Sequence, residues 1–226
     1  TGHLAPAFPE QIVNGIARAC RDNQCALLGG ETAEMPGFYA QGEYDVAGFI
    51  VGLVSRAKII DGSSVEKGDR LIALPSSGLH TNGYSLARKI AFDVLGLTVD
   101  SQVPELGESV GGALLRPHRT YLPVIGPFLD SGLIKGMAHI TGGGITENLP
   151  RTLPDGRDFV LDRASWTVPA VFQWLAKAGG VPEAEMFRAF NMGVGMVLVC
   201  APGHADTLLA AFQNAGEAAW HLGEVS

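Results

Sequence analysis

SSGLHTNGYSLAR, residues 76–88, is the stretch on which the reading of this chain turns. An apolar run, Leu71, Ile72, Ala73 and Leu74, reads as a strand that ends where the stretch begins, and a helix starts within it. A stripe marks the helix: Leu86, Ile90 and Val94 recur at four-residue spacing with Ala87 and Ala91 beside them, so one face packs on a core. Ser76, Ser77, His80, Thr81 and Asn82 fall at its entrance. A helix N-terminus leaves backbone N–H groups unpaired and carries partial positive charge, so it favours a phosphate or a carboxylate. Loops at the carboxyl ends of strands are also where open α/β folds place ligands. Simple N-capping by Thr81 or Asn82 is the blander explanation. A cap needs one polar side chain, however, and this loop offers five.

The bulk composition limits the function classes. With 46% hydrophobic and 17% charged residues the 226-residue chain is an ordinary folded globule, long enough for one large core or two modest ones. Its 30 glycines are nearly twice the usual share of about 7%. They cluster between apolar runs (Gly29-Gly30, Gly111-Gly112, Gly142-Gly143-Gly144, Gly179-Gly180), as turns and ligand loops do. A net charge of −7 and a pI near 5.3 argue against a nucleic-acid or anionic-membrane surface. A phosphate ligand would then have to be met by backbone dipoles, a few cations or a metal.

Three cysteines fit a reducing compartment, and Cys20 and Cys25 lack the spacing of a zinc pair. No apolar run approaches the roughly 20 residues that span a bilayer, and no signal peptide precedes the first helix, so a cytoplasmic location is the expectation. The chain opens on Thr1 rather than Met, which reads as a piece of something longer.

In chain order, Ile12, Ile16 and Cys20 predict an amphipathic helix over residues 9–24. Ala26, Leu27 and Leu28 lead as a strand end into GGETAEMPGFY, residues 29–39. Glu31 and Glu34 there are oxygen ligands suited to magnesium, although a solvated acidic turn has the same composition. DVAGFIVGLVS, residues 45–55, predicts a well-buried strand, and the turn-rich residues 58–70 predict a domain boundary near Asp61. Residues 96–118 read as irregular, and residues 119–129 as a helix weakened by Pro123 and Pro127.

A second strand–loop–helix unit then appears: Met137 to Ile140, Thr141 with Gly142, Gly143 and Gly144, and a short helix holding Ile145, Asn148 and Leu149. Consecutive glycines after a strand can build a nest of N–H groups for a phosphate, though the GxxxxGKS/T pattern of a P-loop is absent. Further on, residues 158–161 predict a strand, residues 171–178 a helix, and FNMGVGMVLVC, residues 190–200, a buried strand. A last helix around Leu208 and Phe212 and a last strand over residues 219–225 complete an α/β or α+β mixture.

Among the histidines, His80 stands out because its loop is polar and its ordinary pKa of about 6.5 suits acid–base work or anion contact. His139, at the end of an apolar strand beside the glycine loop, comes next. His118, His204 and His221 lack such company and His3 lies near the start, so these read as surface or structural. A serine nucleophile at Ser76 or Ser77 is disfavoured because the GxSxG elbow is missing. Two glycine-rich loops, an acidic loop and a polar helix entrance suit phosphoryl transfer, in which positioning and charge neutralisation dominate.

Taken together, GGETAEMPGFY (29–39), SSGLHTNGYSLAR (76–88), HITGGGITENLPR (139–151) and FNMGVGM (190–196) resemble the phosphoribosylformylglycinamidine cyclo-ligase family, the aminoimidazole ribonucleotide synthetases, in the expected order over most of the chain. The resemblance implies an N-terminal domain that binds ATP and dimerises through a β-barrel, continued here by residues 1–60, and a C-terminal α/β domain over residues 61–226. It implies a homodimer that uses ATP and Mg2+ to cyclise a ribonucleotide, formylglycinamidine ribonucleotide, in purine biosynthesis.

Carried onto this chain, the resemblance makes Glu31 and His80 catalytic, with Glu31 on magnesium. Gly30 and Thr32 join it at the nucleotide phosphates. Ser77, Gly78, Thr81, Asn82 and Asn191 contact substrate, and Thr141, Gly142, Gly143 and Gly144 form a second anion site. The family's upstream Asp/Gly/Lys motif for ATP is not in this chain. Two alternatives stand beside this reading. One is a module that binds a phosphate ligand without turnover. The other is a related synthetase or kinase sharing the GGDT-type loop, such as selenophosphate synthetase, a hydrogenase-maturation protein or thiamine-phosphate kinase.

Overall fold

The computed structural model describes residues 1–2 and 7–226; His3 lies outside them. The chain divides into two units, Thr1–Ser55 and Arg56–Ser226.

In the first unit, helix α1 (Ala7–Asp22) carries Glu10 in its first turn and Arg21 in its last, the charge order that complements a helix dipole. Beyond it, the described residues of this unit hold no strand, only an isolated bridge between Pro36 and Tyr39. The strand expected to lead into Gly29 is therefore not formed. Neither is the one expected over residues 45–55, which is exposed rather than buried: Phe49 is 98% and Leu53 102% accessible. A strand needs a neighbour to take its N–H and C=O groups, and β-branched composition cannot supply one.

The second unit runs β1 (Arg70–Pro75), α2 (Tyr84–Arg88), β2 (Gln102–Val103), β3 (Glu108–Ser109), α3 (Val110–Leu114), α4 (Leu122–Ile125), β4 (Ile134–His139), α5 (Gly144–Asn148), β5 (Phe159–Leu161), α6 (Ala170–Gly179), α7 (Glu183–Ala189), β6 (Val194–Cys200), α8 (Pro202–Asn214) and β7 (Trp220–Val225). Five strands form one sheet in the order β4-β6-β1-β7-β5, and every pairing is antiparallel. The fold is thus α+β. No helix among the described residues is long and apolar enough to cross a membrane.

Both faces of the sheet are covered, which is why β1 reads as a continuous apolar run rather than an alternating one. Leu71 and Ala73 join Val197, Val199, Ile145 and Leu149 on one face. Ile72 and Leu74 join Leu198, Leu208, Phe212 and Ile125 on the other. A third cluster packs Ile90 and Ala91, which follow α2, against Phe172 and Leu175 of α6 and Met186 of α7.

Helix α2 opens as expected but passes into a π-helical segment, Lys89–Val94, in which the N–H of Leu95 reaches Ile90 O at 3.0 Å. The wider turn rotates the stripe: Ile90 stays buried, while Val94 is turned out to 58% exposure. The segment expected to be irregular contains the β2–β3 hairpin and α3. Its strands of two residues each are too short to show a hydrophobic period.

The register sets up the site. β1 and β4 both pair antiparallel with β6, so they run parallel to each other and end at the same edge of the sheet. Leu74 of β1 and His139 of β4 both lie opposite Met196. The loops after β1 and β4 therefore leave the sheet at one level, about 10 Å apart, with the start of β6 between them.

Candidate functional site: two clamped loops and a histidine triad

His80 sits in the loop after β1 with a left-handed backbone, φ 59°, a conformation uncommon for residues with a Cβ but one that histidine enters more readily than most. Its ring is 3% exposed, and Nε2 accepts the N–H of Ser77 at 3.1 Å. In the neutral ring the proton is then on Nδ1, and that buried nitrogen has no hydrogen-bond partner among the described residues. The ring lies so close to β6 that a Cβ on Gly195 would stand 2.8 Å from His80 Cε1 and 1.8 Å from the Tyr121 hydroxyl. The glycine of FNMGVGM thus makes room for these two side chains.

Two further histidines complete the cluster. The His118 ring stacks on His80 with centroids 3.9 Å apart, and His118 Nε2 lies 3.1 Å from His139 Nε2. Burial pushes His80 down to about 4, aided by the charges of His118, His139 and Arg119. Partial desolvation within the cluster also lowers His118 and His139, and the nearby His139 adds to the shift at His118. At neutral pH the triad is uncharged. A ring that on its ordinary pKa could carry a proton near neutrality is here neutral, because a cation at this position would be desolvated and lie close to Arg119.

The loop's other polar groups divide into holders and free groups. Asn191 is 2% exposed, and all its bonds go to protein. Its Nδ2 donates to Gly78 O at 2.8 Å and Leu79 O at 3.2 Å, and its Oδ1 accepts from Ser76 Oγ at 2.7 Å and Gly193 N–H at 2.9 Å. With both amide hydrogens and both lone-pair directions occupied, Asn191 clamps the loop in this structure. Ser77 Oγ donates to Pro117 O at 2.7 Å. Gly78 supplies a carbonyl to Asn191. N-capping is absent: the residue before α2 is Gly83, with no side-chain cap. Thr81 is exposed and Asn82 half-buried, and Asn82 Oδ1 comes so close to the second loop that a Cβ on Gly142 would stand 3.2 Å away.

The second loop, after β4, has its own clamp. Asn148 is 6% exposed and donates from Nδ2 to Gly144 O at 2.7 Å and Gly142 O at 3.1 Å, while its Oδ1 accepts from Thr141 Oγ1 at 2.9 Å. The expected N–H nest is largely filled by protein. Gly143 N–H goes to Arg188 O and Gly144 N–H to Thr141 O, each at 3.0 Å. A Cβ on Gly144 would stand 1.8 Å from Phe187 O, so this glycine permits close packing on α7.

Family models match both parts of the chain: the one described as AIR synthase related protein, C-terminal domain, covers residues 66–226, and the matching N-terminal domain covers residues 2–54. The chain belongs to the AIR synthase related family. This family member is 53% identical over 225 residues to the phosphoribosylformylglycinamidine cyclo-ligase of Desulfitobacterium hafniense, and 52% identical over 225 residues to that of Trichlorobacter lovleyi. All of it is covered in each match, and it spans 66% and 64% of those proteins' lengths. A crystal structure of thiamine-monophosphate kinase from Stenotrophomonas maltophilia shares the fold, with TM-score 0.52 and 14% identity over 76% of this chain and 52% of that one.

In this AIR synthase related chain, Gly30, Glu31 and Thr32 belong to the first unit, as exposed loop residues, and the other expected site residues belong to the second. Sequence reading missed two participants. Asn148 was passed over because a polar residue on a short helix shows no sign of pointing back at its own loop. His118, expected to be surface or structural, is exposed yet reaches His139 across the cluster.

Proposed function

We propose that this chain is part of an ATP-dependent cyclo-ligase that converts formylglycinamidine ribonucleotide to aminoimidazole ribonucleotide. The observation that carries the reading is the convergence of the HTN loop and the TGGG loop at one sheet edge, with Asn82 against Gly142. The chemistry has two steps. The formyl amide oxygen attacks the γ-phosphorus of ATP and ADP leaves, giving an imidate phosphate. The amidine nitrogen then closes on the imidate carbon, phosphate departs and a proton is lost, so a poor leaving group has become a good one.

The chain's own part is binding and proton placement. His80, neutral at pH 7, offers its Nδ1–H to an oxygen of the substrate, which supplies the acceptor that the buried ring lacks. Thr81 and Asn82 contact the substrate beside it, and the TGGG loop offers the edge at Gly142. Asn191 and Asn148 hold the two loops against the sheet, so orientation is settled before the substrate arrives.

The imidazoles of the triad are poor magnesium ligands, whereas Glu31 is an exposed carboxylate of the type Mg2+ accepts. We assign Glu31, with Gly30 and Thr32, to the nucleotide phosphates and their Mg2+, which neutralises phosphate charge when bound. A homodimer in the cytoplasm completes the proposal.

The test is to incubate the protein of which this chain is part with ATP, Mg2+ and formylglycinamidine ribonucleotide and to follow phosphate release together with the aromatic amine of the product. Coupled release and product support the reading, with His80→Ala at least tenfold slower. Calorimetric binding of both substrates without release would favour a binding module.

A further inference from the structure

We propose that His80, His118 and His139 form a binding site for a borderline divalent transition-metal ion of the Zn2+ or Co2+ class, distinct from the hard-cation chemistry assigned to Glu31. One ring nitrogen from each of the three lies within 4.8 Å of one from each of the others. A tetrahedral ion with metal–nitrogen bonds of about 2.0 Å holds its ligand nitrogens about 3.3 Å apart. The His118 and His139 Nε2 atoms, 3.1 Å apart, lie within reach of that spacing. Two imidazole nitrogens this close need either a proton or an ion between them. No carboxylate forms an ion pair with any of the three among the described residues.

A second, independent observation comes from His80. It is 97% buried, given its 3% exposure, and its Nδ1 has no partner. Binding through this nitrogen moves the ring proton to Nε2 and releases the Ser77 N–H, a loss of about one hydrogen bond. His118 must also turn out of its stack on His80, which its exposed loop position permits. Arg119, the nearby cation, is paired with Glu217, which offsets its charge toward an incoming ion. Three histidines leave a fourth position for water or an anionic oxygen. Imidazole favours Zn2+ and Co2+ over Mg2+.

The chain is freed of metal with a chelator and titrated with Co2+ while its visible ligand-field absorption is recorded. Zn2+ affinity is then measured by competition with a chromophoric chelator. One ion per chain is expected, with tetrahedral Co2+ bands that Zn2+ abolishes and a tenfold excess of Mg2+ does not. His118→Ala and His139→Ala each weaken binding at least tenfold. His221→Ala, which alters the exposed His221–Asp206 pair elsewhere on the sheet, leaves it unchanged. Circular dichroism confirms that each variant is folded, and because His118 is exposed its variant keeps the test open if the others fail to fold. No tetrahedral Co2+ spectrum, or affinities unaffected by both His118→Ala and His139→Ala, would overturn the site. An ion on His80 Nδ1 would take the place of the substrate oxygen proposed above, so the two occupants compete for that nitrogen; the metal readout is independent of ligase turnover, so each can fail separately.

Discussion

The two loops that meet at the sheet edge are built alike and finished differently. Each follows one of two parallel strands flanking β6, and each is tied down by a buried asparagine, Asn191 for the first and Asn148 for the second. In the second loop the clamp and the backbone use most of the polar groups, and Gly143 and Gly144 have given their N–H groups to carbonyls. In the first loop the clamp leaves a buried donor on His80 without an acceptor and keeps Thr81 and Asn82 at the rim. One loop is a finished turn that shapes the site. The other keeps a buried donor unpaired among the described residues.

That contrast can be broken by substitution. The largest effect is expected for Asn191→Ala, which strands two carbonyls, a hydroxyl and an N–H in the interior and should lower unfolding free energy by about 3 kcal/mol. Urea denaturation measures it, and a loss below about 1 kcal/mol would mean the clamp is not what holds the loop. Asn148→Ala should lose about 2 kcal/mol, less because its loop also rests on backbone bonds.

Acidification is next. The folded pKa of His80 is depressed to about 4 from its ordinary value of 6.5, so between these the unfolded chain binds more protons. Stability is complete above about pH 6.5 and falls as pH drops toward 4, by on the order of 2 kcal/mol. His80→Asn should flatten that slope; an unchanged slope would place the titration elsewhere. The smallest effect is expected for Thr81→Ala, under about 0.5 kcal/mol in stability because the side chain is exposed. Its consequence should appear in substrate KM instead.

Much of the second unit was legible in the sequence because its strands are covered on both faces and its helices carry stripes, so composition and burial coincide. The first unit shows where that logic ends. Residues 45–55 and β1 are equally apolar, yet Leu71 is fully buried while Phe49 is 98% exposed. Pairing makes a strand, and pairing is not written in the run itself. At the candidate site, the two loops and the place of His80 within the first could be read from residue type and position. The roles of Asn191 and His118 could not, because a fully bonded amide and a ligand-ready one look identical in a sequence. The histidine triad, moreover, depends on the order of strands in the sheet.

The most direct test of this account is the state of His80 itself. Nitrogen-15 NMR of the imidazoles in the unliganded chain, titrated from pH 8 to 3.5, reads both tautomer and pKa. The account predicts the Nδ1–H tautomer and a pKa well below the ordinary 6.5, near 4. An Nε2–H tautomer, or titration at an ordinary histidine value, would contradict a buried donor waiting for its acceptor.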